Sequence, residues 1–186
     1  GKTYRVIGGK SEAYENVAAT ADDQSYTVKY TESQPEDGWQ NRMFNDATWK
    51  TGKAPFESGK KSSGTLWNSK DIWVRRTINL NKTNYDKLYL KLKHDDNIEV
   101  YLNGEEIYSY KGWSHKFQMI PLEDAFKQKL KKGNNVLGIH IANTAGGAYL
   151  DAGLVTDAAT KLDKSEITAE EKNVTINAKT TLSNFA

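Results

Sequence analysis

Cysteine is absent from the 186-residue chain, which excludes disulfide bonds, thiolate metal sites and a cysteine nucleophile. Long apolar runs are absent too. No stretch approaches the roughly 20 residues that a membrane-spanning helix needs, and no signal-peptide pattern opens the chain. An excess of one charge is also missing, because 26 basic and 24 acidic residues leave a net charge of +2. The sequence therefore favours neither membrane insertion nor nucleic acid as a partner.

Helical periodicity is scarce. It is confined to residues 123–130, where Leu122, Ala125, Phe126 and Leu130 fall on one side and predict one short helix. Aromatic residues are plentiful by contrast, since ten Tyr, five Trp and five Phe make up 11% of the chain. Disordered chains lack such residues, so the chain should fold. A hydrophobic fraction of only 37% suits a thin two-layer sandwich whose strands each bury one face.

Alternating apolar and polar residues predict β-strands between residues 26 and 155. Asn103-Gly104 is the dipeptide that best supports a tight hairpin, because both positions tolerate positive φ. Residues 34–49 fit neither period, and we interpret them as an irregular loop pinned by aromatic side chains. The pattern as a whole predicts an all-β sandwich. The alternation is clearest in six stretches: 72–78, 88–93, 98–102, 105–110, 136–142 and 149–155.

Four short motifs follow one another in the middle of the chain: FNDATWK at 44–50, IWVRRT at 72–77, VYLNG at 100–104 and KGNNVL at 132–137. They resemble the F-D-D-S-x-W, W-x-R-R-T/E-F, V-x-x-N-G and G-x-N-V-L elements of galactose-binding-like domains in glycoside hydrolases of family two. This resemblance implies a galactose-binding-like jelly-roll β-sandwich with one short helix.

A second group of motifs extends the resemblance to nearly the whole chain: GKTYR at 1–5, KHDDN at 93–97, ANTAGGAYLDAGL at 142–154 and KNVTINAKTT at 172–181. These are similar to the version of the module embedded in bacterial glutaminase-like proteins, where it interrupts another domain. The resemblance implies a non-catalytic accessory domain of a larger secreted enzyme, located in the periplasm or outside the cell. Its partners would then be the flanking domains of the parent enzyme.

The two ends of the chain differ in pattern from the middle. We expect a lead-in at 1–25 and an exit segment at 157–186, each belonging partly to a flanking domain, around a sandwich at 26–156. Residues 3–7 read as a short strand, residues 10–25 show no clear pattern, and Val174, Ile176 and Ala178 alternate like a strand. A start at Gly1 instead of Met fits a piece trimmed from a longer precursor.

The most polar cluster is His94-Asp95-Asp96-Asn97. Carboxylates beside an imidazole could act as acid and base or hold a Ca²⁺ ion, which is the one cofactor alternative, with Asp95 and Asp96 as its ligands. Because adjacent strand residues point to opposite faces, we expect Asp95 and Asp96 not to act together and instead to cap neighbouring turns through buried hydrogen bonds. The three His residues lack HxH or HExxH spacing, so we interpret them as structural.

A carbohydrate site is the sharper alternative, because such sites place an aromatic ring against a sugar and surround it with hydrogen-bonding side chains. The predicted loops would expose the rings of Trp67, Trp113 and Tyr149. Asn68, His115 and Asn143 would supply the hydrogen bonds. Trp39, Trp49 and Trp73 we assign to the core or to loop pinning.

No catalytic residue is predicted. No serine occupies a G-x-S-x-G elbow, and Gly146-Gly147 lacks the strand-to-helix context of a phosphate-binding loop. The leading hypothesis is an accessory β-sandwich of a glutaminase-like hydrolase, and the alternative is a carbohydrate-binding module of a family-two-like glycoside hydrolase. An independent hydrolase ranks third, because it would need ionisable groups with shifted pKa values in one pocket.

Overall fold

The computed structural model describes residues 3–7, 10–59 and 63–158. This part of the chain forms thirteen β-strands and one helix, arranged as two stacked sheets. The all-β sandwich with one short helix is therefore confirmed. The strands are β1 (Thr3–Ile7), β2 (Lys10–Ala18), β3 (Thr27–Thr31), β4 (Lys50–Lys53), β5 (Phe56–Glu57), β6 (Thr65–Leu66), β7 (Asp71–Leu80), β8 (Leu88–Asp95), β9 (Asn97–Leu102), β10 (Glu105–Tyr110), β11 (Gln118–Pro121), β12 (Gly133–Ala142) and β13 (Tyr149–Asp157), and the helix α1 is Asp124–Lys127.

Sheet 1 is built around β13. Strand β8 pairs with β13 along most of its length, with β11 outside β8. On its other side β13 pairs first with β5 and then with β2, beyond which lie β6 and β1. Sheet 2 has the order β10-β9-β12-β7-β3-β4, and all its neighbours are antiparallel. The chain crosses repeatedly between the sheets, so their facing sides share one core.

Strict alternation explains the core. Strand β7 turns Ile72, Val74 and Ile78 inward, while Trp73 and Thr77 face outward. The six stretches with the clearest alternation are all strands, as the sequence predicts. Burial of their apolar side chains, at about 25 cal/mol per Å² removed from water, drives the stacking of the sheets. Fully buried members include Ile72, Leu90, Leu92, Val100, Leu102, Leu137, Ile141 and Leu154.

Arg76 crosses the core and joins the two sheets. Its Nη1 donates to the Ala152 carbonyl of sheet 1 at 2.5 Å, and its Nη2 donates to the Ala19 carbonyl at 2.7 Å. The guanidinium carbon lies 3.4 Å from the centre of the Tyr26 ring. The Tyr26 hydroxyl donates to the buried Asp151 carboxylate at 2.9 Å, which places an acidic group near the guanidinium in the same network.

The predicted hairpin at Asn103-Gly104 is confirmed, with φ of 52° and 98° at the two residues. The Asn103 amide also receives Val136 N–H at 2.9 Å and donates to the fully buried Asn135 at 2.9 Å. The Asn135 side chain in turn receives Lys131 N–H at 2.8 Å. These bonds join the hairpin to the start of β12.

Two features depart from the sequence prediction. Residues 10–18, which show no clear pattern, form strand β2 against β13. Their signal is weak because the residues of β2 with described side chains bury only Tyr14 and Ala18. The helix is confirmed but spans four residues, and it ends before Leu130, which is nevertheless buried. The expected strand at Val174, Ile176 and Ala178 lies outside the described residues.

Within residues 3–7, 10–59 and 63–158, no helix has the length and apolar character that a membrane span requires.

Candidate functional site

The polar cluster of the sequence lies at one end of the sandwich, where the β8–β9 and β12–β13 connections meet. Asp96 stands between β8 and β9, and its Oδ2 accepts three hydrogen bonds from the other connection. The donors are Thr144 N at 2.8 Å, Thr144 Oγ1 at 2.7 Å and Ala145 N at 3.2 Å. The predicted buried capping role is confirmed for Asp96, which is 7% exposed.

The side chains of Asp95 and Asp96 lie close enough to affect each other's ionisation, although strand alternation would place them on opposite faces. Strand alternation does not apply to the pair, since β8 ends at Asp95 and Asp96 belongs to the bend. Burial raises the pKa of Asp95 to about 6, and the hydrogen bond and negative charge of Asp96 act in the same direction. The Thr144 hydroxyl and the neighbouring backbone donors hold the pKa of Asp96 at about 2. The pair therefore combines a carboxylate with a carboxyl that protonates in mildly acidic solution.

His94 completes the cluster from the inner side of sheet 1. It is fully buried, and its Nδ1 lies 2.7 Å from the Asp96 carbonyl oxygen. A carbonyl only accepts hydrogen bonds, so Nδ1 carries the hydrogen. Burial lowers the pKa of His94, so the ring is neutral and its Nε2, which has no partner among the described residues, is an acceptor. This arrangement fits the structural role expected for His94.

The acidic residues at this end of the sandwich bear on the Ca²⁺ alternative. Within residues 3–7, 10–59 and 63–158, no three His, Asp or Glu side chains converge as a metal site would require. Asp96 already directs one carboxylate oxygen at three protein donors. Among the described residues, the structure thus adds no third His, Asp or Glu to Asp95 and Asp96 for the Ca²⁺ alternative.

The residues proposed for carbohydrate binding differ in their exposure to solvent. The expectation of an exposed Trp67 ring is wrong, because this side chain is fully buried and its Nε1 donates to Ser69 Oγ at 2.9 Å. Trp113 is 50% exposed, and its ring centre lies 3.9 Å from that of His115. Asn68 is exposed as well. Sequence alternation missed Trp67 because it follows the two-residue strand β6, which is too short to show a period.

Tyr149 and Asn143 occupy the same end but different surroundings. Tyr149 opens strand β13, not a loop, and lies between Glu57 of β5 and Asp95 of β8 on the outer face of sheet 1. The Lys93 Nζ lies 4.3 Å from the centre of its ring. Burial, together with the nearby carboxylates of Asp151 and Glu57, raises the pKa of Tyr149 to about 12. Asn143 Oδ1 is buried and has no partner among the described residues.

The outer face of sheet 2 carries a second group of polar residues, which sequence reasoning did not assemble. One half of this face is covered by residues 34–49, which we call the strap. The Trp39 ring packs on Gly138 and meets Tyr101 edge-on at 5.6 Å, so the predicted pinning by aromatic residues is confirmed. Arg75 projects from β7 into the strap and hydrogen-bonds to it from all three guanidinium nitrogens.

The uncovered half shows a row of side chains across four strands. Register places Ser109 of β10, Glu99 of β9, His140 of β12 and Trp73 of β7 side by side. The His140 ring stacks on Trp73 with centres 4.5 Å apart and an interplanar angle of 6°. Its Nε2 lies 3.0 Å from Asp71 Oδ1, and its Nδ1 lies 3.6 Å from Glu99 Oε2. The alternation of β7, β9 and β12 predicts that these residues face outward, but not which strands are neighbours.

Comparisons with known proteins connect this fold to large enzymes. No family model matches the chain, and a search of curated proteins finds no significant match. Among solved structures, β-glucuronidase 2 of Bacteroides uniformis has a TM-score of 0.53 and 17% identity over 72% of this chain. The β-glucuronidase of Ruminococcus gnavus has a TM-score of 0.53 and 16% identity over 84%. A glycosyl hydrolase family 2 member of Bacteroides cellulosilyticus has a TM-score of 0.51 and 11% identity over 74%.

The match is confined to a fraction of each enzyme. The chain covers 18%, 31% and 20% of these three proteins, in the order given. At such identities the likeness concerns the fold, and it identifies this chain as similar to a β-sandwich within larger glycoside hydrolases.

Proposed function

We propose that the chain is a non-catalytic β-sandwich module of a larger secreted hydrolase, in which it braces or positions the catalytic region. The observation that carries this proposal is the likeness of most of this chain to less than a third of much larger enzymes. For the identity of the larger hydrolase, the sequence motifs favour a glutaminase-like enzyme, whereas the structural neighbours favour a glycoside hydrolase of family two.

The end of the sandwich where the β8–β9 and β12–β13 connections meet, which we call the loop end, uses its polar groups in a way that agrees with a bracing role. Asp96 and His94 are engaged with the backbone of the connections that they join. The Ser114 hydroxyl is held the same way, since its Oγ accepts the His94 N–H at 3.1 Å. The Asp96 and His94 atoms that are held in these bonds are not free to transfer protons to a substrate.

The test is to express the longer protein encoded around this segment, with and without residues 26–156 replaced by a short flexible linker. Hydrolysis of aryl β-glycosides and of glutamine would be measured together with thermal unfolding. We expect the longer protein to hydrolyse one of these substrates and the shortened one to lose stability and activity together. A coding region without any hydrolase segment, or a shortened enzyme with full activity and stability, would contradict the proposal.

A second candidate function is carbohydrate binding at the loop end. The specific observation in its favour is the half-exposed Trp113 ring beside the exposed His115. A ring in this position suits stacking on a pyranose. The burial of Trp67 removes one of the three aromatic residues first considered.

Calorimetric titration of the chain and its Trp113→Ala variant with a panel of oligosaccharides would decide this point. Binding in the millimolar range or tighter that the substitution abolishes would support a sugar site. No heat change with any sugar at millimolar concentration would remove it.

A further inference from the structure

The uncovered half of the outer face of sheet 2 contains a groove of about 490 Å³. Strands β9, β10 and β12 supply its walls. Strand β10 is the last strand of sheet 2, and no other strand of the described chain pairs with its outer edge. The groove is thus open along that side. Among its lining residues are Asn97, Glu99, Glu106, Ser109, Tyr110 and His140.

The groove combines acidic groups with aromatic rings. The side chains of Glu99 and Glu106 are both exposed. At the inner end of the groove, the Asp71 carboxylate lies 3.0 Å from His140 Nε2. Lys111 is the single lysine or arginine among the described residues that line it. The Tyr110 ring is 52% exposed. Carboxylates beside exposed rings attract a cation both by charge and by the negative face of the ring.

The two carboxylates lie on one face of the hairpin, which suits an extended chain. Glu106 lies opposite Tyr101, and Glu99 lies two residues before Tyr101 on the same face of β9. A β-bulge between Glu106 and Tyr108 places Ser109 opposite Glu99, and the Ser109 hydroxyl donates to Glu106 Oε1 at 2.9 Å, so both glutamates lie beside the same serine on one face. Alternate side chains of an extended peptide also point to one face. Two basic side chains at alternate positions can therefore face the two carboxylates.

From this geometry we propose that the groove docks an extended segment of a partner protein that carries arginine residues at alternate positions. The guanidinium group fits because it binds a carboxylate through two parallel hydrogen bonds and stacks on aromatic rings. Glu99 retains acceptor capacity for this, although Tyr101 Oη donates to its Oε2 at 3.1 Å. Glu106 retains it likewise beside Ser109 Oγ, which donates at 2.9 Å.

The experiment uses the whole ¹⁵N-labelled chain and a synthetic probe, acetyl-Arg-Ser-Arg-Ser-Arg-amide. Amide chemical shifts are followed during titration at low and at physiological ionic strength. We expect shifts concentrated in residues 97–111 and 138–142, with binding that weakens as salt is added. The double variant Glu99→Gln/Glu106→Gln should weaken binding about tenfold, or roughly 1.4 kcal/mol.

A matched control removes the same charge elsewhere. Glu15 and Glu123 are exposed residues outside the groove, and Glu123 makes no side-chain cap to the helix. Glu15→Gln/Glu123→Gln should leave the affinity unchanged. Equal weakening by both double variants, or shifts spread over the whole surface, would overturn the proposal in favour of diffuse attraction.

Two further probes distinguish the alternatives. Acetyl-Glu-Ser-Glu-Ser-Glu-amide should produce no shifts in the groove, and a response to it would refute charge recognition. Cellopentaose should leave the groove unperturbed, and shifts there would make it a glycan site instead. Because both probes act on the chain itself, these results are independent of whether it belongs to a larger hydrolase.

Discussion

Replacing Arg75 with methionine should release the strap from sheet 2 while keeping an unbranched side chain in place of the aliphatic part of the arginine. Arg75 is 3% exposed, and its Nε donates to Asp46 Oδ2 at 2.8 Å. Its Nη1 donates to the carbonyls of Asn41, at 2.9 Å, and of Trp39. Its Nη2 donates to the Phe44 carbonyl at 3.3 Å. One side chain thus holds four acceptors of the same irregular segment.

The expected loss of stability follows from the hydrogen bonds and the ion pair that the four acceptors lose. Removing one partner of a buried ion pair costs about 3–5 kcal/mol when the other charge stays buried. Asp46 is 25% exposed and can recover part of its hydration, which favours the lower end of that range. We therefore expect a loss of about 3 kcal/mol, a large share of the 5–15 kcal/mol typical of folded proteins. For a chain of this size the melting temperature should fall by roughly 6–12 °C.

Urea unfolding followed by tryptophan fluorescence measures this loss, because Trp39 and Trp49 lie in the strap. Arg42→Met is the matched control, since Arg42 belongs to the same segment, is exposed and makes one long hydrogen bond, 3.4 Å from Nη1 to the Asn134 carbonyl. It should change the free energy of unfolding by less than about 0.5 kcal/mol. If Arg75→Met cost no more than this control, the clamping role of Arg75 would be refuted.

Two other predictions concern pH and packing. The pKa of Asp95 is raised to about 6 from its ordinary 3.8. Its contribution to the free energy of unfolding is therefore complete below pH 3.8 and is lost as the pH rises through 6. The contribution of Asp96, whose pKa is lowered to about 2, is instead lost as the pH falls through 2. Asp95→Asn should therefore raise the urea midpoint relative to the unsubstituted chain more at pH 7.5 than at pH 5, a comparison in which the opposing effect of the lowered pKa of buried His94 cancels; an equal difference at both pH values would refute the assignment. Gly153→Ala should destabilise the fold by more than about 2 kcal/mol, because its Cβ would lie 2.3 Å from the Ala18 carbonyl oxygen, whereas Gly147→Ala has 3.7 Å of clearance and should be tolerated; equal melting temperatures would contradict this.

Much of the fold was predictable because its strands carry a strict period. In β7, every second residue from Ile72 to Leu80 enters the core, and the same holds for the inner residues of β9 and β12. Asn103-Gly104 fixed one hairpin through backbone chemistry alone. Such signals are local, so a single sequence contains them.

Other features depend on which strands become neighbours. Trp67 is buried by the layers around it although its own segment shows no period. Asp95 and Asp96 join because the chain bends between β8 and β9, where strand alternation no longer applies. The row of Glu99, His140 and Trp73 comes from three separate strands, and only the register of sheet 2 brings them together.

The most direct test of a non-catalytic module is the activity of the purified chain alone. Chromogenic aryl β-glycosides and glutamine would be incubated with increasing protein concentration over several hours. Product should form no faster than in buffer at every concentration. Release that rises in proportion to protein, saturates with substrate and persists through repeated purification would show that the chain is itself an enzyme.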